Sequence, residues 1–420
     1  MSASSQDVQR QLAQGPITAF QLTVIALCVG LNMLDGFDVL AMSFAASGVK
    51  ADWHLTDGQL GALLSAGLVG MGLGSLTLGP CADRWGRRII VLLSVAVAGF
   101  GMLASALTRD YAELLSLRVL TGIGIGGTIA SVAVIVSEYA PEKLRGTALA
   151  IYATGYSIGA TIGGALAAYA IPRFGWRAAF VIGGTLSLLM LPLAWRKLPE
   201  SLEFRSVSSQ RGPGSIGAQL RLLIRPKTAL VWIVFFCTMA GFYFILSWTP
   251  RLLNAAGLSA AQGMTGGVLL NLGGIAGCGL FALAASRADT HRLLFGALIG
   301  SALLIVVFGL VMSRLDIALW TALLLGIIAN AAMAGLYAVG PPLYPTAVRT
   351  TGMGWAIGIG RFGAILAPLA SGALLDRGWL PAQLYYFFSA SFVVAAVAIF
   401  LIGPARARAA AQTDTRILSS

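Results

Sequence analysis

Gly79-Pro80-Cys81-Ala82-Asp83-Arg84-Trp85-Gly86-Arg87-Arg88 places one acid and three arginines between two long apolar runs. The runs on either side, 57–79 and 88–107, each approach the ~20 residues that an α-helix needs to cross a bilayer. A charged string between two such runs reads as a short loop at a membrane surface. The same alternation continues in both directions, from about Phe20 to about Ile402.

Composition agrees with that reading. The 420 residues are 57% hydrophobic and 10% charged, with mean hydropathy +0.84. Soluble domains run at roughly 45–50% apolar and 25% charged. Glycine, at 52 residues, suits close packing of membrane helices. The formal charge of +12 would point to nucleic acid in a soluble protein. Here the excess Lys and Arg sit in connections beside apolar spans, as the positive-inside rule describes, and no nucleic-acid role is expected. The residues from Met1 to Gln14 are polar and lack the pattern of a cleavable signal. Cys28, Cys81, Cys237 and Cys278 lie in or beside apolar runs without metal-ligand spacing, so packing roles are expected and no metal or cofactor.

The expected fold is an all-α membrane protein of twelve transmembrane helices. The first six spans fall near 20–46, 57–79, 88–107, 112–137, 146–171 and 177–195. The second six fall near 229–252, 262–285, 292–312, 316–341, 350–374 and 382–403. Between the sets lies a polar, basic stretch, 196–228, with Arg196, Lys197, Arg205, Arg211, Arg221, Arg225 and Lys227. The chain therefore divides into an N-terminal segment 1–19, a six-helix bundle 20–195, the central loop, a second bundle 229–403 and a tail 404–420. The distribution of Lys and Arg puts the loop and both termini in the cytoplasm. The halves look related. An offset of 204 residues aligns Pro141-Glu142-Lys143-Leu144-Arg145 with Pro345-Thr346-Ala347-Val348-Arg349, Arg87-Arg88 with His291-Arg292, and Gly159 with Gly363. Parallel six-helix repeats are a transporter architecture, with substrate held between them.

Span 1 contains Leu31-Asn32-Met33-Leu34-Asp35-Gly36-Phe37-Asp38-Val39-Leu40. A carboxylate at bilayer depth costs roughly 2.5–3.5 kcal/mol on insertion scales, so it is rarely kept without a function. The i, i+3 spacing puts Asp35 and Asp38 on one helical face, where they form a site able to take up and release a proton. They could instead be structural partners of Arg118 or Arg361, the two arginines placed within the membrane. An arginine there cannot be neutralised and needs an anion, and its planar fork suits a carboxylate. Span 7 is rich in aromatic residues, with Trp232, Phe235, Phe236, Phe242, Tyr243, Phe244 and Trp248. Most such rings face lipid or neighbouring helices. Tyr243 and Trp248 are the candidates for contact with a planar substrate.

The string from Gly79 to Arg88 resembles the signature loop of the major facilitator superfamily, G-x-x-x-D-R-x-G-R-R/K, with Cys81 where leucine is usual. Arg118-Val119-Leu120-Thr121-Gly122-Ile123-Gly124 resembles a second superfamily motif. Asp35-Gly36-Phe37-Asp38, Tyr243 to Pro250, and Tyr344-Pro345-Thr346-Ala347-Val348-Arg349-Thr350-Thr351-Gly352 running on to Gly358-Ile359-Gly360-Arg361 look like the aromatic acid:proton symporter family of bacteria. The resemblance spans about 20–403. It implies two pseudo-symmetric six-helix bundles and import of a small organic anion with protons across the bacterial inner membrane, by a protein that functions as a monomer. A hydroxybenzoate-type carboxylate is the leading substrate. The wording of spans 4 and 5 also resembles muconate-type members, so a ring-cleaved dicarboxylate stays open, with two arginines for two carboxylates. The resemblance assigns Asp35 and Asp38 to proton coupling, Arg118 and Arg361 to substrate, and Asp83 to a conformational latch. Gly79, Arg84, Arg87, Glu138, Arg145, His291 and Arg349, at the inner surface, join the latch. Span 5 has Gly159-Ala160 where drug/proton antiporters carry a glycine-proline pair, which favours import. A sugar porter and a membrane sensor of aromatic acids are weaker alternatives. No enzyme chemistry is visible.

Overall fold

The computed structural model describes Gly15 and residues 17–201, 226–344 and 349–403. Twelve helices long and apolar enough to cross a bilayer run through these residues. The first six are α1 (Ala19–Trp53), α2 (Asp57–Trp85), α3 (Arg87–Ala106), α4 (Tyr111–Tyr139), α5 (Arg145–Phe174) and α6 (Arg177–Lys197). The second six are α7 (Pro226–Ala255), α8 (Ala260–Ala285), α9 (Thr290–Val311), α10 (Leu315–Val339), α11 (Arg349–Asp376) and α12 (Pro381–Ile402). Most of the central loop and tail expected from the sequence, and the N-terminal segment up to residue 14, lie outside the described residues.

Local chemistry sets the helix starts. Thr18, Thr56 and Ser259 are each followed three residues later by glutamine, and each pair forms a reciprocal capping box that satisfies orphan N–H groups. Asp110 and Asp289 cap α4 and α9 with their carboxylates. Two ends differ from expectation. Helix α1 continues past 46 to Trp53, because nothing in Ser47-Gly48-Val49-Lys50-Ala51-Asp52 breaks it until His54 turns left-handed at φ 50°. The charged string after Gly79, expected as a loop, is helical as far as Trp85. Pro80 is accommodated inside α2, and the only break before α3 is Gly86 at φ 101°.

Packing repeats with a shift of six helices. Contacts α2–α4, α1–α5, α3–α4 and α3–α6 in the first half reappear as α8–α10, α7–α11, α9–α10 and α9–α12 in the second. The first residues of α4, α5 and α6 (Tyr111, Arg145, Arg177) and of α10, α11 and α12 (Leu315, Arg349, Pro381) keep the offset of 204 seen in the sequence.

The halves meet through α2–α11, α5–α8 and α1–α7. These contacts concentrate toward the end of the molecule marked by Trp53. There the backbone N–H groups of Asp57 and Gly58, at the start of α2, donate to the two carboxylate oxygens of Asp376, at the end of α11, each at 2.8 Å. Asp57 in turn pairs with Lys50 at 2.5 Å and lies 4.0 Å from Arg251 of the second half. About two turns deeper along α2, the Ser65 hydroxyl donates to the Ile365 carbonyl at 2.7 Å. A side chain at Gly372 would put its Cβ 2.2 Å from the Asp57 carbonyl oxygen, so only glycine allows α2 and α11 to approach this closely.

Candidate functional site

Three helices of the first half and three of the second bring ionisable side chains together. On α1, Asp35 and Asp38 are both buried. They do not share one role. The Arg118 guanidinium of α4 donates from Nη1 to Asp38 Oδ1 at 2.8 Å and from Nη2 to the Asp38 carbonyl at 3.1 Å. Both side chains are almost wholly enclosed, and Phe180 lies 5.7 Å from the guanidinium carbon. Desolvation offsets much of the attraction in such a pair, yet removing one partner costs ~3–5 kcal/mol because the other charge is stranded. Asp38 and Arg118 therefore neutralise one another, which is the ion-pair alternative for this aspartate and this arginine.

Asp35 has no cationic partner among the described residues. Its Oδ2 is buried without a hydrogen bond. Its charged or titratable neighbours are Asp38, one turn along α1, and Tyr152 and Tyr156 on α5. The α1–α5 contact that sets this geometry is close. The Asn32 amide donates to the Tyr152 carbonyl at 2.6 Å, and a Cβ at Gly36 would lie 2.1 Å from the Tyr156 carbonyl oxygen.

In the second half, Arg361 of α11 is partly accessible and forms no ion pair among the described residues. Its Nη1 donates to the Tyr243 hydroxyl of α7 at 3.3 Å. Tyr243, Tyr337 of α10 and Tyr156 of α5 are its electrostatic neighbours. Tyr156 has Asp35 of its own half and Tyr243 and Arg361 of the other as electrostatic neighbours, and its buried hydroxyl has no hydrogen-bond partner among the described residues. Trp248, expected beside a substrate, is fully buried and donates to the Pro368 carbonyl at 3.3 Å. In this state it packs α7 against α11 and does not face open space.

The latch residues divide. Arg87 pairs with Glu138 of α4, donates to the Ser201 hydroxyl at 2.9 Å, and lies 3.3 Å from Asp83. The Ser201 hydroxyl donates to Glu138 at 2.9 Å. Gly79 faces α4 near Ala130. A central member went unassigned in the sequence: Glu200. Its Oε1 accepts the backbone N–H groups of Arg87, Arg88 and Ser201 at 2.8, 3.1 and 2.9 Å, so it caps the start of α3. The Tyr139 hydroxyl donates to the Glu200 carbonyl at 2.9 Å. A helix N-terminus favours such a carboxylate. Gly86 serves both needs, because besides its φ a Cβ there would lie 2.5 Å from Glu200 Oε2. Arg84 and Arg145 are exposed and outside this network among the described residues. His291 is buried at the start of α9 in the other half. Arg349 opens α11, and its side chain lies outside the described residues.

The pattern of the Major Facilitator Superfamily matches residues 25–340. The chain belongs to the major facilitator superfamily. It is 34% identical to a gallate transporter of Pseudomonas putida, over 96% of each chain. It is 30% identical to the 4-hydroxybenzoate transporter PcaK of Acinetobacter baylyi, over 95% of this chain and 94% of that one. With a 3-(3-hydroxy-phenyl)propionate transporter of Escherichia coli it shares 32% identity, over 92% of this chain and 95% of that one. Among solved structures, a D-xylose-proton symporter superposes with a TM-score of 0.78 at 18% identity, over 92% of this chain and 98% of that one. That likeness speaks for the fold of this superfamily member. These relatives are named as transporters of aromatic acids.

The sequence brought Asp35, Asp38, Arg118, Arg361 and Tyr243 into view, and missed Tyr156, Tyr337 and Glu200. Tyrosines within spans resemble ordinary packing residues. The available signal was a hydroxyl at Tyr156 on a glycine-rich face, Gly155, Gly159 and Gly163, which must lie against another helix.

Proposed function

We propose that this protein imports an aromatic carboxylate of the hydroxybenzoate class together with protons, by alternating access across the bacterial inner membrane. The reading rests on one observation above all: among the described residues Arg361 is a partly accessible guanidinium without an acid partner, with tyrosines as neighbours, and Asp35 is an acid without a cation. An anion completes the first and a proton completes the second. A buried charge without a partner is costly, so each site favours occupation. Guanidinium binds carboxylate through two parallel hydrogen bonds, and tyrosines supply a donor and a flat apolar face for a phenolic ring. The names of the relatives support a mono-carboxylate with ring hydroxyls.

A dicarboxylate such as muconate fits less well. It would need a second free arginine, and Arg118 is already committed to Asp38. Positive-inside placement puts both termini in the cytoplasm, which makes the Trp53 end periplasmic. The Asp57–Asp376 contacts then hold the outer end shut, as an importer requires when it opens inward. Reconstituted vesicles with an inward proton gradient should accumulate gallate, 4-hydroxybenzoate or 3-(3-hydroxyphenyl)propionate, and collapse of the gradient should abolish accumulation. Gradient-independent uptake, or uptake of xylose in preference to every acid, would overturn the proposal.

A further inference from the structure

We propose that the Tyr156 hydroxyl is a shared hydrogen-bond donor through which protonation of Asp35 controls anion binding at Arg361. The inference rests on the reading of Arg361 as the anion site. The geometry begins with the α1–α5 contact. Because Gly36 lacks a side chain, α5 lies with the Tyr156 backbone directly against α1, one residue from Asp35. From there the phenol is within electrostatic reach of Asp35, Tyr243 and Arg361. It has both the acid and the cation among its electrostatic neighbours. Its hydroxyl is enclosed yet makes no hydrogen bond, and the nearby Asp35 Oδ2 is in the same condition.

A phenol has one proton to donate. Two acceptors can compete for it: the ionised Asp35 carboxylate and the carboxylate of an anion seated on Arg361. With Asp35 ionised, the hydroxyl is drawn to α1 and the anion keeps only the donors of Arg361 and Tyr243. When Asp35 takes up a proton it no longer holds the phenol, and the anion gains a further donor. Loss of the Asp35 charge favours the anion as well. Linkage makes the effect reciprocal, so a bound anion draws a proton onto Asp35 by the same factor. No proton passes through the phenol, and no bond to it is broken.

Among the described groups around this site, Asp35 is the acid without a cationic partner. Helix α1 adds Cys28 and Asp38, α4 adds Arg118, and α5 adds Tyr152. From the second half come Tyr243, Tyr337 and Arg361. Helix α6 carries its arginines and lysine only near its ends, Arg177, Arg196 and Lys197, and the thiol of α8, Cys278, faces the Asn330 carbonyl on α10. Asp38 and Arg118 are paired with each other, leaving Asp38 Oδ2 and Arg118 Nε buried without hydrogen bonds.

The test is calorimetric binding of gallate, with benzoate as a parallel probe whose sole ionisable group is its carboxyl, to the purified full-length protein at about pH 6 and pH 8. Wild type should bind more tightly at the lower pH. Tyr156→Phe should lose about ten-fold in affinity there, the scale of one hydrogen bond to a charged group, and little at the higher pH. The pH ratio thus shrinks to the part due to the Asp35 charge alone, while binding survives. Asp35→Asn should bind independently of pH. A wild-type pH ratio in Tyr156→Phe overturns the inference, as does an equal loss at both pH values, which would make Tyr156 a plain ligand or a packing residue. Arg361→Lys separates the two levels. If it binds both probes like wild type, the anion site lies elsewhere and the coupling falls with it. If it loses both while Tyr156→Phe keeps the wild-type ratio, the site stands and the coupling alone fails.

Discussion

Two aspartates one turn apart, in the same helix and equally buried, meet opposite circumstances. Asp38 is fixed by a guanidinium and Asp35 is not. Substitution should expose the difference. Asp38→Asn strands the Arg118 charge and should destabilise the protein by ~3–5 kcal/mol. Asp35→Asn removes an acid that had no cation and should leave thermal stability in detergent at or above wild type. Equal melting shifts for the two variants would contradict this division. At Arg361, lysine retains charge but not the fork, so Arg361→Lys should weaken gallate binding by about ten-fold or more, read by calorimetry. How far the residues could be read from the sequence follows from their chemistry. Acids and arginines in apolar runs are costly enough to announce themselves. Which acid meets which arginine is set by helix rotation and by contacts between residues 80 positions apart, and no local pattern records that. Tyr156 stayed hidden because a phenol in a membrane helix is cheap.

Helix ends carry the conformational chemistry. At the end of the molecule marked by Trp85, the Glu200 carboxylate caps α3 and Gly86 gives it room. Gly86→Ala meets both a backbone at φ 101° and ψ 139° that side-chain-bearing residues rarely adopt, worth roughly 1–3 kcal/mol, and the displaced carboxylate. It should lower the melting temperature and loosen the pairing of Arg87 with Glu138; an unchanged melting curve would contradict that. At the opposite end Asp376 caps α2 from the other half. Caps are worth about 1 kcal/mol and the helix dipole adds a fraction. Asp376→Ala should therefore shift the closed population several-fold toward opening. Spin labels at Leu107 and Leu380, both exposed at that end and one in each half, should show a longer distance become more populated. An unchanged distance distribution would show that this cap does not hold the end shut. The spans themselves were legible from hydropathy. The helical course of Asp83-Arg84-Trp85 was not, because charge was read as loop. The Asp376 cap was not either, since it joins positions 319 residues apart.

At the scale of the whole molecule, the repeat was visible before the fold as an offset of 204 residues, and the starts of α4, α5 and α6 against α10, α11 and α12 keep it. What the repeat does not reveal is how the halves diverged: the first carries the acids of α1, and the second carries the free arginine of α11. In the proposed mechanism that asymmetry couples two similar bundles, with opposite charges on the two sides of the surface between them. The direct check is proton movement driven by substrate alone. Vesicles containing the protein and an internal pH dye receive external gallate with no imposed gradient, and protein-free vesicles correct for passive entry of the neutral acid. Downhill gallate should acidify the interior in wild type, and Asp35→Asn should exchange gallate without acidification. Gallate entry without acidification in wild type, or equal acidification in Asp35→Asn, would contradict the account.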